Sequence, residues 1–122
     1  MSTITLTGAT FEETIASSEV LIVDFWAEWC GPCRMFGPIF EDASDRHPGI
    51  TFAKVDTEAE QELAGALGIM SIPTLMVFRE EVLLYNEPGA LPGPMLEQLI
   101  ERVLELDMSE VHAAVAAQQD ED

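Results

Sequence analysis

Basic residues are scarce in this chain. Arg34, Arg46, Lys54, Arg79 and Arg102 stand against 23 acidic residues, for a net charge of −18 over 122 residues. So acidic a surface is repelled by nucleic acid and by anionic membranes, and neither is expected as a partner. Cysteine is rarer still: the two present, Cys30 and Cys33, are too few and too close for a secreted disulfide scaffold. No apolar run approaches a bilayer span; the longest, Val20 to Ala27, is interrupted by Asp24. The start, Met1-Ser2-Thr3-Ile4-Thr5, has neither a basic region nor the apolar stretch of a secretory signal, so a cytoplasmic location is expected. What the chain does have is apolar content, 48% of residues, enough for one core at the length of one domain.

The periodicity alternates. Ile4-Thr5-Leu6 reads as a short strand. A helix follows from Thr10, which with Glu13 spells a capping box ahead of Phe11 and Ile15. Val20 to Trp26 reads as a strand buried on both faces, and Cys33 to Arg46 as a helix with Phe36, Ile39, Phe40 and Ala43 on one side. Ile50 to Val55 is a second buried strand. Ala59 to Leu67 is helical and stops at Gly68. Thr74–Phe78 and Val82–Tyr85 are close enough to form a hairpin. Pro92 opens a last long helix with Leu96, Leu99, Ile100 and Val103 on its core face. The order β-α-β-α-β-α-β-β-α predicts an α/β domain with a mixed sheet. Beyond it, Val111, Ala114 and Val115 fit an additional short helix, and Gln118 to Asp122 reads as disordered.

Cys30-Gly31-Pro32-Cys33 lies between a buried strand and a helix. Free amide N–H groups and the helix dipole at that point favour a thiolate on Cys30. Two intervening residues let the second sulfur reach the first, so a mixed disulfide can be resolved internally. A zinc half-site completed by His47 and His112 is the alternative, but their placement fits no finger spacing. Asp24 in an apolar strand is either a structural cap or a buried acid/base of raised pKa that handles the Cys33 proton. Lys54, the only lysine, either snorkels from a strand edge or sits beside Asp24. Trp29 is placed to shield the sulfur or touch a partner, leaving Trp26 for the core. By sequence physics alone, the Ile72–Pro73 bond is trans.

Val23-Asp24-Phe25-Trp26-Ala27-Glu28-Trp29-Cys30-Gly31-Pro32-Cys33-Arg34-Met35 resembles the active-site signature of the thioredoxin family. Ala53-Lys54-Val55-Asp56, Ser71-Ile72-Pro73-Thr74-Leu75 and Gly89-Ala90-Leu91 resemble further segments of it, and the likeness runs from about residue 4 to 106. The resemblance implies a five-stranded mixed sheet flanked by four helices, in a domain of residues 1–106 with 107–122 as an extension. It implies an exposed Cys30 as nucleophile, Cys33 as resolving thiol and Asp24 with Lys54 as the buried acid/base pair. Trp29, Gly31, Pro32, Ile72, Pro73 and Gly89 would form the substrate-contacting rim, and the Ile72–Pro73 bond would be cis. The implied activity is reduction of client protein disulfides by a cytoplasmic monomer that carries no cofactor and is recharged by a flavin- and NADPH-dependent thioredoxin reductase. An oxidase or isomerase of the same fold, or a binding module built on it, are the rival readings. The hairpin departs from the family: Glu80-Glu81 replaces the usual Asn-Gly, leaving the turn type open. Gly37 before Pro38 loosens the second helix further, and Glu87-Pro88 adds charge and stiffness to the rim.

Overall fold

The computed structural model describes residues 2–121. Five strands form one sheet in the order β1-β3-β2-β4-β5, with β1 at Ile4–Thr5, β2 at Val20–Trp26, β3 at Thr51–Asp56, β4 at Thr74–Arg79 and β5 at Val82–Pro88. β1, β3 and β2 run parallel; β4 and β5 are antiparallel to their neighbours. Helices α1 (Phe11–Ser17), α2 (Gly31–Arg46), α3 (Gln61–Ala66) and α4 (Gly93–Glu105) cover the sheet.

The central strand β2 is the reason for the layering. Its residues are buried on both faces, so alternate side chains feed two cores. Val20 and Ile22 join Phe52, Leu75 and Val77 beneath α2 and α4. Leu21, Val23 and Phe25 join Val55 and Met76 beneath α1 and α3. Aromatic edges fill each core: Phe40 meets Phe52 at 5.3 Å, and Phe11 meets Phe78 at 6.0 Å. Each such buried side chain is worth about 1.5–3 kcal/mol over its exposed state.

α2 carries Pro38 in its interior and remains one helix despite Gly37. At its C-terminus, Arg46 and His47 both bond Glu97 of α4, at 2.5 and 2.7 Å. Arg79 does the same service for α4: its Nη1 donates to the carbonyls of Val103 (2.7 Å) and Leu106 (3.1 Å), a cation set against the negative end of the helix.

Three local expectations are corrected. The Thr10–Glu13 capping box does not form, because Thr10 already has near-helical backbone angles (φ −109°, ψ −7°) and makes no side-chain cap bond. Its hydroxyl instead accepts the Thr7 N–H at 3.0 Å, closing a turn. The third helix starts later than Ala59, since Asp56 Oδ1 takes the Glu58 N–H at 2.9 Å and holds that stretch in a turn. The disorder expected from Gln118 is replaced by helix: α5 runs Met108–Glu121, and only Asp122 of that stretch lies outside the described residues. Asp107 caps α5 by accepting from the Ser109 N–H (3.0 Å) and hydroxyl (2.6 Å). Its anchor is Met108, 7% exposed, with Val111 and Val115 half-buried and Ala114 exposed.

The hairpin turn has positive φ at both central residues, Glu80 (51°) and Glu81 (67°). That is the type I′ pattern that suits the strand twist, taken here without glycine. Glu80 also accepts a 3.0 Å bond from His112 of α5 if that nitrogen carries the proton.

Candidate active site

The chain turns out of β2 at Ala27 and enters α2 at Gly31, and Cys30 occupies the N-cap between them. Its extended backbone (φ −87°, ψ 112°) aims the sulfur back at the helix, where it accepts the Cys33 N–H at 3.2 Å. Pro32 sits in the first helical turn, where a missing N–H costs nothing. Cys30 and Cys33 are joined as a disulfide with Cα atoms 5.2 Å apart. The Cys30 sulfur also lies 3.6 Å from the Ile72 carbonyl oxygen. Cys30 is less open than expected: both cysteines are packed against Ala27, Trp26 and Ile72 and are only 4% and 5% exposed.

The remaining rim residues are brought to the same place. Trp29 is 66% exposed, and its indole N–H donates to Glu58 Oε1 at 2.6 Å. Gly31 and Pro32 are exposed, Ile72 is half-buried, and Pro73 is buried rather than presented. The Ile72–Pro73 bond is cis, as the resemblance implies and against the bare sequence expectation. Gly89 donates its N–H to the Pro73 carbonyl at 2.8 Å and holds φ +109°, a conformation that requires glycine.

Asp24 and Lys54 are register partners on adjacent parallel strands, so they share the α2 face of the sheet, with Leu75 of β4 on the other side of Asp24. Asp24 is fully buried, and neither carboxylate oxygen has a hydrogen-bond partner among the described residues, which removes the capping role. Burial pushes its carboxyl from 3.8 up to about 7; the Lys54 ammonium pulls against this, and Glu41 adds a smaller push upward. Lys54 does not close an ion pair with Asp24 among the described residues. Its Nζ lies 5.0 Å from the centre of the Trp26 ring. The two histidines weighed as zinc ligands are engaged with separate glutamates, His47 with Glu97 and His112 with Glu80.

Glu58 and Glu41 were not legible from sequence. Glu58 lies in a turn with no periodic signal, and Glu41 reads as one more acid on an amphipathic helix. Only the packing shows that the first holds Trp29 and that the charge of the second acts on Asp24.

Comparison with known proteins agrees with this geometry. The family model Thioredoxin matches residues 2–102. "Putative thioredoxin 2" of Streptomyces coelicolor is 52% identical over 97% of this chain and 88% of its own length. Thioredoxin of Alicyclobacillus acidocaldarius is 39% identical over 85% of this chain and 100% of its own. Among solved structures, Plasmodium falciparum thioredoxin superposes with a TM-score of 0.74 at 36% identity, covering 82% of this chain and 97% of that one.

Proposed function

The chain belongs to the thioredoxin family and is a thiol–disulfide oxidoreductase whose reactive pair is Cys30 and Cys33, and from that premise we propose how its residues divide the work. Cys30 attacks. Its sulfur caps a 16-residue helix and takes the Cys33 N–H, which favours negative charge there. The Cys30 thiolate bonds to one sulfur of a client disulfide; that disulfide breaks and the other client sulfur leaves as a thiolate that picks up a proton. Cys33 then gives up its proton and attacks the Cys30 sulfur. The mixed disulfide breaks, the second client thiol leaves, and the Cys30–Cys33 disulfide remains.

Asp24 is the acid/base for the Cys33 proton. A carboxyl that titrates near 7 is half-ionised at working pH and can both take and return a proton. Lys54 limits how far burial raises it. Trp29, Gly31, Pro32, Ile72, Pro73 and Gly89 form the contact surface, where an extended client segment can pair with the Ile72 backbone as an added strand.

Clients are cytoplasmic protein disulfides, and a thioredoxin reductase returns two electrons to the pair, restoring both thiols. Thioredoxin-family proteins act on disulfide substrates. Residues 1–106 carry the activity, and 107–122 lie outside it. No helix among the described residues is long and apolar enough to cross a membrane.

The placement of Cys30 at the N-cap of α2, beside the Ile72 carbonyl, carries this reading. The test is insulin reduction driven by dithiothreitol, paired with trapping. Cys33→Ser should accumulate mixed disulfides with clients and Cys30→Ser none. Clients collected on Cys30→Ser would reverse the roles. A reduction potential near the thioredoxin value of about −270 mV, rather than about −120 to −180 mV, would set it apart from an oxidase or isomerase.

A further inference from the structure

α2 carries a charged group that thiol–disulfide exchange by Cys30 and Cys33 does not itself use. Glu41 is partly buried; its Oε2 is closed off from solvent and has no hydrogen-bond partner among the described residues. Its Oε1 accepts a 2.5 Å bond from the Thr3 hydroxyl. Thr3 leads directly into β1, whose Ile4 and Thr5 pair with Ala53 and Lys54 of β3. The N-terminal segment therefore fastens Glu41 alongside the strand that carries Lys54. From the other direction, Lys54 reaches α2 itself: a Cβ at Gly37 would stand 3.9 Å from Lys54 Nζ. Gly37 lies one helical turn before Glu41, so both are on the same flank of α2.

We propose that Glu41 is a positioning residue for the exchange reaction: its carboxylate, held on α2 on the same side of the sheet as Asp24 and Lys54, offsets the Lys54 ammonium and so tunes the buried Asp24 carboxyl. The proposal rests on the reading of Asp24 as the buried acid/base. The other charged groups on that side are already engaged: Asp56, two residues beyond Lys54 on β3, accepts the Glu58 N–H, and Glu97 of α4 holds Arg46 and His47. β4 contributes Leu75 and Val77, α4 contributes Leu96 and Ile100, β5 contributes the partly buried Tyr85, and α2 adds Cys33 near its start. Lys54 alone would favour ionised Asp24. A second carboxylate in the same partly desolvated space works against that ionisation, because like charges are poorly screened there. The Thr3 bond keeps the Glu41 side chain from swinging out to water, where its effect would be screened.

A purely mechanical role, tying the N-terminal segment to α2, is the competing account. The two separate in a 13C NMR titration of the Asp24 carboxyl in the reduced protein. In Glu41→Gln the Asp24 midpoint should fall by on the order of half a pH unit. Glu41→Asp, which keeps the charge, should recover most of that fall. Thr3→Val, which keeps the charge and releases its anchor, should lower the midpoint by less than Glu41→Gln. The Asp24-dependent limb of the pH profile for insulin reduction should move the same way, toward lower pH. An unchanged midpoint in Glu41→Gln, or equal shifts in Glu41→Gln and Glu41→Asp, overturns the proposal. If Glu41→Gln fails to fold, an unchanged midpoint in Thr3→Val does so instead. Because the titration is read without turnover, failure of the Asp24 role is seen separately, as an Asp24→Asn protein whose pH profile matches the wild type.

Discussion

The two faces of the sheet are built from the same strands, one residue out of phase, yet only one of them carries charge. Under α1 and α3, β2 contributes Leu21, Val23 and Phe25, and the cluster around them is apolar throughout. A cleft of about 490 Å3 opens on that side, lined by Phe11, Ile15, Leu63, Leu67, Met76 and Phe78 among others. Under α2 and α4, the alternate residues Val20 and Ile22 are followed by Asp24, with Lys54 beside it and Glu41 on the covering helix α2. The charges appear on the face covered by the helix that Cys30 caps, and nowhere in the other apolar cluster. Burying a carboxylate costs stability on either face; the protein carries that cost only on the face covered by the helix that Cys30 caps.

Moving the charge across the sheet should break this division most severely. Val23→Asp places a carboxylate in the core that has no lysine, at a site with no exposure. We expect a loss of about 3–5 kcal/mol at pH 8, from an uncompensated buried charge, and a smaller loss at pH 4, where the new acid is protonated. Denaturant melts at the two pH values measure it. An equal loss at both would mean that shape, not charge, is what this face rejects.

The opposite change removes the charge from the face that tolerates it. Asp24 titrates at about 7 in the folded chain against an ordinary aspartate value of 3.8, so the folded state holds its proton longer as pH rises. Stability therefore declines between those two values, and the full penalty stands above the higher one. Asp24→Asn should gain about 1–4 kcal/mol at pH 8 and almost nothing at pH 4, while slowing disulfide exchange at neutral pH. A destabilised variant at pH 8 would contradict the assignment.

Removing α5 should leave the division of the faces untouched. A chain ending at Leu106 loses the burial of Met108 and should cost about 1–2 kcal/mol in a thermal or urea melt. Its rate of insulin reduction with dithiothreitol should equal that of the full chain. A folded truncation that had lost activity with dithiothreitol would place the extension in the active site. Loss with the reductase alone would make it a docking element. The smallest effect belongs to His112→Ala. The His112–Glu80 contact is 3.0 Å but solvent-exposed, so its loss should cost no more than about 0.5 kcal/mol.

Much of the fold was legible because its periodicities are clean. β2 is apolar at every position but Asp24, α2 shows Phe36, Phe40 and Ala43 at helical spacing, and Gly68 with φ +69° stops the stretch after α3. The C-terminal helix was less legible. Val111, Ala114 and Val115 form a weak stripe, and the residue that anchors the helix is Met108, whose burial depends on what α4 and the hairpin leave open. The capping box failed for a similar reason, since Thr10 found a nearer partner in Thr7.

By itself, the sequence determined the reactive pair and its place. Two cysteines separated by Gly31-Pro32 at a strand-to-helix junction leave the thiols little else to be, and an acid inside an apolar strand marks a buried carboxyl before any coordinates exist. Those facts are local: they depend on residue type and on spacing of a few positions. Only the tertiary structure decided which groups face one another. Parallel pairing of β2 with β3 set Lys54 beside Asp24, the turn after β3 brought Glu58 to Trp29, and the Thr3 bond tied Glu41 of α2 to the N-terminal segment. These partners lie tens of residues apart. Their meeting is fixed by strand order and register, and a linear pattern of apolar and polar residues does not encode either.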